Sequence, residues 1–423
     1  FLNRFRMKKI YTLPYALVIA ALNTASSYAD VFTSGDLQYT TLDENTCEIT
    51  KSFAGAADLV IPPKATDEAT GKEYTVVSIK YGVFRSSSIT SCVVPGTITK
   101  CGPMLFNSCR SLKSVTFEEG VEELGYSSFP SCSQLTQINL PTSLKVLGGE
   151  QYGNYGSAFT GCTALKSITI PSGITEVPDK TFEGCSALEE VVFEGEITSI
   201  GESAFYNCTA LTSEFSFPAL TSIGKNAFAR CTSLKKTEIG GSLENLSEQA
   251  FYDSGLEDIT LNEGIKTIGS QAFYNCKLKS VAFPASVTEI AAEAFKGCTA
   301  LASVSCYSEV PPAAYTNTFD PDTYEFAPLR VPNSADAAYE AADCWNQFAE
   351  RINISVGIEE TVGNAISVKC IDGGISIEGT DATAEVWSVS GKLAARTSAR
   401  EIRLPAGLYI VRVAGTNIKT IVR

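Results

Sequence analysis

The chain has 423 residues, 44% hydrophobic and 19% charged, ample for a packed core. It contains no histidine, which excludes a Ser-His-Asp or Cys-His catalytic pair, a His-ligated metal and the side chain best suited to titrating near neutrality. The formal charge is −14, and −18 without residues 1–29, which hold Arg4, Arg6, Lys8 and Lys9; an acidic surface of this kind repels nucleic acid and anionic membranes.

Residues 1–29 have the pattern of a secretory signal. Met7-Lys8-Lys9 is a basic start, and residues 10–22 are mostly apolar, with Tyr11, Thr12 and Pro14 as interruptions. Ser27-Tyr28-Ala29 offers a small-x-small cleavage site. Residues 1–6 precede a plausible initiator. The apolar run is too short to span a bilayer, and no other stretch is long enough. No cysteine follows the run directly, which argues against a lipid anchor. Residues 30–78 read as an N-terminal cap: DLQYTTL and EYTVVSI alternate like strands, and LVIPP announces the strand-then-proline ending that recurs later.

Residues 79–305 are a repeat array. The unit is A-F-x-x-C-x-x-L-x-x-V/I-x-I/F-P-x-x-I-x-x-I/V, seen best in AFTGCTALKSITIPSGITEV. Its phenylalanine column is Phe84, Phe106, Phe129, Phe159, Phe182, Phe205, Phe228, Phe251, Phe273 and Phe295, with successive gaps of 22, 23, 30, 23, 23, 23, 23, 22 and 22. A fixed period in the twenties predicts a solenoid. In L-x-x-V/I-x-F/I the apolar residues alternate with a polar one, the period of a half-buried strand, and proline ends it. One unit buries five or six large apolar side chains, about 10 kcal/mol gross, while ordering ~23 residues costs at least as much, so no unit folds without neighbours. The repeat LTSEFSFPALTSIG adds a residue before its proline and drops one after it, which predicts a β-bulge. The 30-residue gap holds GGEQYGNYG, a loop that carries Tyr152 and Tyr155.

Eight of the fourteen cysteines fill one column: Cys109, Cys132, Cys162, Cys185, Cys208, Cys231, Cys276 and Cys298, with Ser254 in the same slot of its own repeat. In a stack these side chains point the same way about 5 Å apart, poor geometry for a disulfide or for a convergent metal site. The expectation is a ladder of free buried thiols, each a small hydrophobe.

Residues 306–356 change character: VPPAAYTNTFDPDTYEF is irregular, and RVPNSADAAYEAADCWNQF predicts a strand, a Ser334 cap, a helix over 335–343 and apolar Trp345 and Phe348 as a lid on the last repeat. Residues 357–423 form a separate all-β unit with the runs AISVKC, GISIEG, AEVWSV, EIRLP, LYIVRVA and IKTIVR, and a net charge of +1, so the acidity belongs to the array.

AFTGCTALKSITIPSGITEV and its copies, with the closing lid, resemble the BspA-like leucine-rich-repeat surface proteins over residues 31–355. The implied fold is a β-rich leucine-rich-repeat solenoid of about ten ~23-residue repeats followed by a small all-β sandwich. The tail is similar to C-terminal domains related to the type IX sorting domain. Its carriers are Val386-Trp387-Ser388-Val389-Ser390-Gly391-Lys392-Leu393, Leu404-Pro405-Ala406-Gly407-Leu408-Tyr409-Ile410-Val411 and the terminal KTIVR. The resemblance implies an exported, adhesin-like cell-surface binder, and it brings no catalytic residues with it.

The expected function is protein binding by the outward face of the repeat sheet. The central strand positions are Thr116, Asn139, Thr169, Val192, Ser216, Glu238, Thr260, Ala282 and Ser305, mostly small and uncharged. Of these Thr116, Asn139, Thr169, Glu238 and Thr260, with loop residues Tyr152 and Tyr155, are the candidate contacts for a host or bacterial surface protein. The alternative partner is a glycan stacked on Tyr152, Tyr155, Tyr206, Tyr252 and Tyr274, the last three of which directly follow a column phenylalanine and also fit ordinary turn packing. No cofactor, metal or nucleic acid is expected, and no catalysis: the pairs Glu118-Glu119, Glu122-Glu123 and Glu189-Glu190 are strand neighbours that point to opposite faces.

Overall fold

The computed structural model describes residues 29–422 apart from 56–57, 149–155, 241, 355–359, 363–365, 372–373, 379–382, 389–392, 405–406 and 414–415. The expected secretory signal, all but Ala29, lies outside the described residues, as do the loop tyrosines Tyr152 and Tyr155.

From residue 58 to 354 the chain winds as a parallel β-solenoid, and each turn has three sides. The first carries the strand read from L-x-x-V-x-F. Asp58–Val60, Ser91–Val94, Ser114–Phe117 and Gln137–Asn139 pair in parallel, and Ser167–Ile170 pairs with Glu190–Phe193. Next come Phe215–Phe217, Lys236–Ile239 and Asp258–Leu261, then Val281–Phe283, Val304–Cys306, Leu329–Pro332 and Arg351–Ile354. Rungs at both ends thus come from segments outside the periodic motif. The second side is a column of two-residue strands, such as Glu176–Val177, Ser199–Ile200 and Ser222–Ile223. At its start it is fed by the antiparallel strands Val31–Ser34, Leu37–Thr41 and Thr46–Ser52, and then by Lys72–Ile79, which pairs in parallel with Thr46–Ser52. Those strands cover the first turn.

The third side is the A-F-x-x-C segment. Its backbone bonds to the next turn at alternate residues: Lys180 N–H to Glu202 O, Phe182 N–H to Ala204 O and Gly184 N–H to Tyr206 O. Facing every donor in one direction needs left-handed backbone two residues before and two after the phenylalanine. The later position is held by Ser86, Ser108, Ser131, Gly161, Gly184, Asn207, Arg230, Asp253, Asn275 and Gly297, all with φ between 54° and 81°. Glycine, asparagine and aspartate tolerate that region best, and they hold six of these ten positions.

Inside, the phenylalanines form one continuous pile. From Phe84 to Phe295 neighbouring rings are 4.9–5.5 Å apart and 3–21° from parallel. Phe319 extends the pile at 5.4 Å, and Phe348, Tyr324 and Trp345 then meet Phe319 edge-on and close it. Aromatic contacts add about 0.5–1.5 kcal/mol each beyond burial.

The cysteine ladder is free and buried, and it does more than fill space. Each column thiol donates to the carbonyl of the phenylalanine one turn earlier: Cys132 Sγ to Phe106 O at 3.1 Å, Cys185 to Phe159 O at 3.1 Å, Cys231 to Phe205 O at 3.0 Å, Cys298 to Phe273 O at 3.1 Å. The same carbonyl accepts the N–H of its own turn's cysteine, as Phe159 O does from Cys162. Both lone pairs are therefore used at a buried carbonyl that lies off the strand ladders. Ser254 breaks the pattern by lying 3.3 Å from Cys276 Sγ.

Three local expectations are refined. At the irregular repeat the strand ladder is interrupted between Glu190–Phe193 and Phe215–Phe217, and the Ser213 hydroxyl accepts the Val191 N–H at 3.0 Å in place of a main-chain carbonyl. In the lid, Ser334 is not a helix cap: its hydroxyl donates to Glu309 at 2.6 Å, a 3-10 turn occupies Asn333–Ala335, and the helix is shorter, Asp336–Ala341. The segment expected to be irregular contains a helix, Pro321–Phe326, started by proline at its first position.

Residues 360–422 fold around a second, smaller core of Ile375, Ile377, Ala384, Val386, Ile402, Leu404, Tyr409 and Val411. Two four-stranded antiparallel sheets supply it. One holds Glu360–Val362, Ile366–Ile371, Gly374–Glu378 and Glu401–Arg403, the other Leu393–Thr397, Ala384–Ser388, Gly407–Val413 and Thr416–Val422.

Candidate functional site

The central strand positions align across the first sheet. Asn139 stands beside Thr116, Thr169 beside Val192, and Ser216, Glu238 and Thr260 follow in line, as do Ala282, Ser305 and Arg330. Thr116, Asn139, Thr169 and Glu238 are exposed, and Thr260 is half-buried. They share a face because flanking residues such as Val115 and Phe117 turn into the core. Rungs repeat at about 4.8 Å, so these residues form a strip rather than a cluster, and no three of them converge on one point.

Polar groups on this strip are tied into it. Glu238 accepts from the Ser216 hydroxyl at 3.2 Å and the Asn262 amide at 3.4 Å. One column over, Glu257 lies between Lys235 at 2.8 Å and Lys279 at 2.7 Å, and the two ammonium groups pull its carboxyl down to about 2. Two of the glutamate pairs are likewise occupied: Glu118 accepts the Gly96 N–H and Glu119 the Thr142 and Ser143 N–H groups, while Glu122 pairs with Lys145 and Glu123 with Lys100. Glu263 repeats the role of Glu119 for Ala285 and Ser286. No motif position signalled these turn caps, because an N–H acceptor one turn away leaves no mark in local spacing.

On the turn side, Tyr206, Tyr252 and Tyr274 are half-buried. Tyr252 and Tyr274 stack at 5.0 Å and 8° from parallel, and Arg230 lies 5.8 Å over Tyr206. The facing surfaces of Tyr252 and Tyr274 thus serve each other.

A cleft of about 650 Å³ lies where the last repeat meets the lid. Phe319 and Tyr324, both buried, back it, and Asn317, Asp320, Glu325 and Gln347 also line it. Sequence reading did not find it, because most of its residues come from two non-periodic segments that meet the last repeat only in the fold. Among the described residues no group of three or more His, Cys, Asp or Glu is placed to hold a metal. No described helix is long and apolar enough to cross a membrane.

The fold and these surfaces define a leucine-rich-repeat scaffold of the parallel β-solenoid kind. The sequence profile of the BspA type leucine rich repeat region matches residues 72–156, 153–257 and 221–320 in six copies, more than half of the chain, and the chain belongs to that family. Similar solved structures include a leucine-rich cell surface protein from Faecalibacterium prausnitzii, at 24% identity over 77% of this chain and 94% of the other, TM-score 0.45. A leucine-rich repeat protein from Bacteroides ovatus aligns at 23% identity over 77% and 100%, TM-score 0.37. The pneumococcal vaccine antigen PcpA aligns at 17% over 78% and 99%, TM-score 0.41. No curated protein sequence matches the chain.

Proposed function

We propose that the protein is an exported, adhesin-like surface binder whose repeat sheet docks a host or bacterial surface protein. The observation that carries this reading is the aligned outward strip of Thr116, Asn139, Thr169 and their neighbours. It is mostly small and uncharged, and its carboxylate, Glu238, is already held by Ser216 and Asn262, so a partner gains contact area at little cost in desolvated charge. Such a surface works by many weak contacts added along a rod. The test is a pull-down with residues 30–423 as bait against host and bacterial surface proteins, with Thr169→Arg/Thr260→Arg as control. Capture by the parent chain that is lost in the variant supports the reading; a bait that retains no surface protein sinks it.

A second reading, a surface glycan binder, is favoured by the stacked tyrosines Tyr252 and Tyr274 on the turn side. The two readings use different sides of the solenoid, so one set of variants separates them. We further infer that residues 1–29 direct export, that 30–78 and 306–356 are the caps of a 79–305 array, and that 357–423 act as a sorting-like domain. Deleting 357–423 while leaving the array secreted and surface-retained would remove the last of these roles.

A further inference from the structure

We propose that the cleft beside the lid and the tyrosine row leading to it form one groove for a neutral oligosaccharide lying along the solenoid axis. The proposal deepens the glycan reading by giving it a site and a ligand class. Two observations meet in it. The first is the cleft itself: planar amides and carboxylates (Asn317, Gln347, Asp320, Glu325) line a cleft backed by the buried Phe319 and Tyr324. Planar polar groups offer paired donors and acceptors to vicinal sugar hydroxyls. The volume is within the range of ligand sites and suits a short oligosaccharide.

The second observation is register. Tyr252, Tyr274, Lys296 and Asp320 each directly follow a phenylalanine of the pile, on consecutive turns. The backbone confirms their sequence: Arg230 N–H bonds Tyr252 O, Asp253 N–H bonds Tyr274 O and Asn275 N–H bonds Lys296 O, and Gly297 N–H bonds the Asp320 carboxylate at 2.7 Å. Lys296 and Asp320 line the cleft. The tyrosine column therefore leads to it turn by turn, with a ring spacing of 5.0 Å between Tyr252 and Tyr274. A 1,4-linked pyranose chain advances by about the same distance per sugar, so each rung can serve one unit.

Charge selects against acidic sugars. Lys296 is already held by Glu293 at 2.8 Å, while Asp320 and Glu325 face the cleft. A strand-adding peptide is disfavoured too, because the lining is turn and helix rather than an open sheet edge.

The experiment uses residues 30–423, labelled, on a printed array of neutral host N- and O-glycans, bacterial polysaccharides and their sialylated or sulfated counterparts. The result expected is retention on neutral glycans. Asn317→Ala/Gln347→Ala, both exposed, is then expected to weaken the best hit by about tenfold or more with an unchanged melting midpoint. Tyr274→Ala is expected to weaken long chains more than disaccharides. Neutral-glycan binding that survives Asn317→Ala/Gln347→Ala overturns the cleft and leaves the glycan reading standing. Binding to acidic glycans alone overturns the ligand class, and an array without a hit overturns both.

Discussion

The repeat array and the C-terminal unit are both all-β, yet they are held together differently. In the array the strands pair in parallel with counterparts one turn away, in ladders of two or more rungs, and one core of phenylalanine, leucine and cysteine columns runs its length. In the C-terminal unit Ala384–Ser388 is flanked by two unrelated strands, Leu393–Thr397 and Gly407–Val413, both antiparallel. Its core is a handful of aliphatic residues with Tyr409. Neighbours in the array are equivalent by sequence; neighbours in the tail are not. The array's stability is therefore nearly additive along its axis, whereas the tail stands or falls as a unit.

The largest way to separate the two is alkaline pH. Burial pushes the ladder thiols up, Cys109 to about 11 and Cys185, Cys231 and Cys276 to about 12. As pH rises past the ordinary thiol value the unfolded chain loses its protons first, so the neutral-thiol contribution is complete below about 8.5 and is lost towards the folded values. Each thiol gives up about 1.4 kcal/mol per pH unit in that window. Eight such thiols act on the array, and the tail contains one cysteine, Cys370. Calorimetry from pH 8 to 11 should show the array's transition falling steeply and the tail's moving little; a flat array transition would contradict the thiol ladder.

Next in size is Phe182→Ala, which takes a ring from between Phe159 and Phe205. The expected loss is about 3–5 kcal/mol, read as a shift of the denaturation midpoint confined to the array. Simultaneous loss of hydrogen-exchange protection in Val386 and Val411 would show that the two regions do not unfold separately.

Cys185→Ala removes one inter-turn donor and its volume and should cost about 1–2 kcal/mol. Cys185→Ser retains a donor, so a smaller loss by chemical denaturation is expected; an equal loss would mean that the thiol acts through bulk alone.

The smallest effect concerns the left-handed column. Arg230 holds φ 60° where other turns place serine, glycine, asparagine or aspartate. Arg230→Asn should stabilise the array by about 0.5 kcal/mol, net of the contact with Tyr206, measurable as a raised midpoint.

Phe182 and Cys185 were legible as inward residues because a period of 23 puts equivalent atoms over one another. The outward position of Thr169 followed from the same alternation. The partner of the Cys185 thiol was not legible: it is a main-chain carbonyl, and carbonyls have no sequence signature. Ser334 illustrates a local rule overridden, since the carboxylate of Glu309 lies within reach of its hydroxyl only in the folded lid. Asn317 and Gln347 were invisible as a pair because no repeat relates them.

From the sequence alone came the one-dimensional stack, its inward phenylalanine and thiol columns and the polar face between them. Periodicity suffices there, because each residue's neighbour is its own copy one turn on. Tertiary structure alone decided which hydroxyl or thiol finds which carbonyl, how the tail's strands pair, and that the lid leaves a cleft in line with Tyr252 and Tyr274. Those depend on contacts between segments of unlike sequence, where distance in space has no fixed relation to distance along the chain.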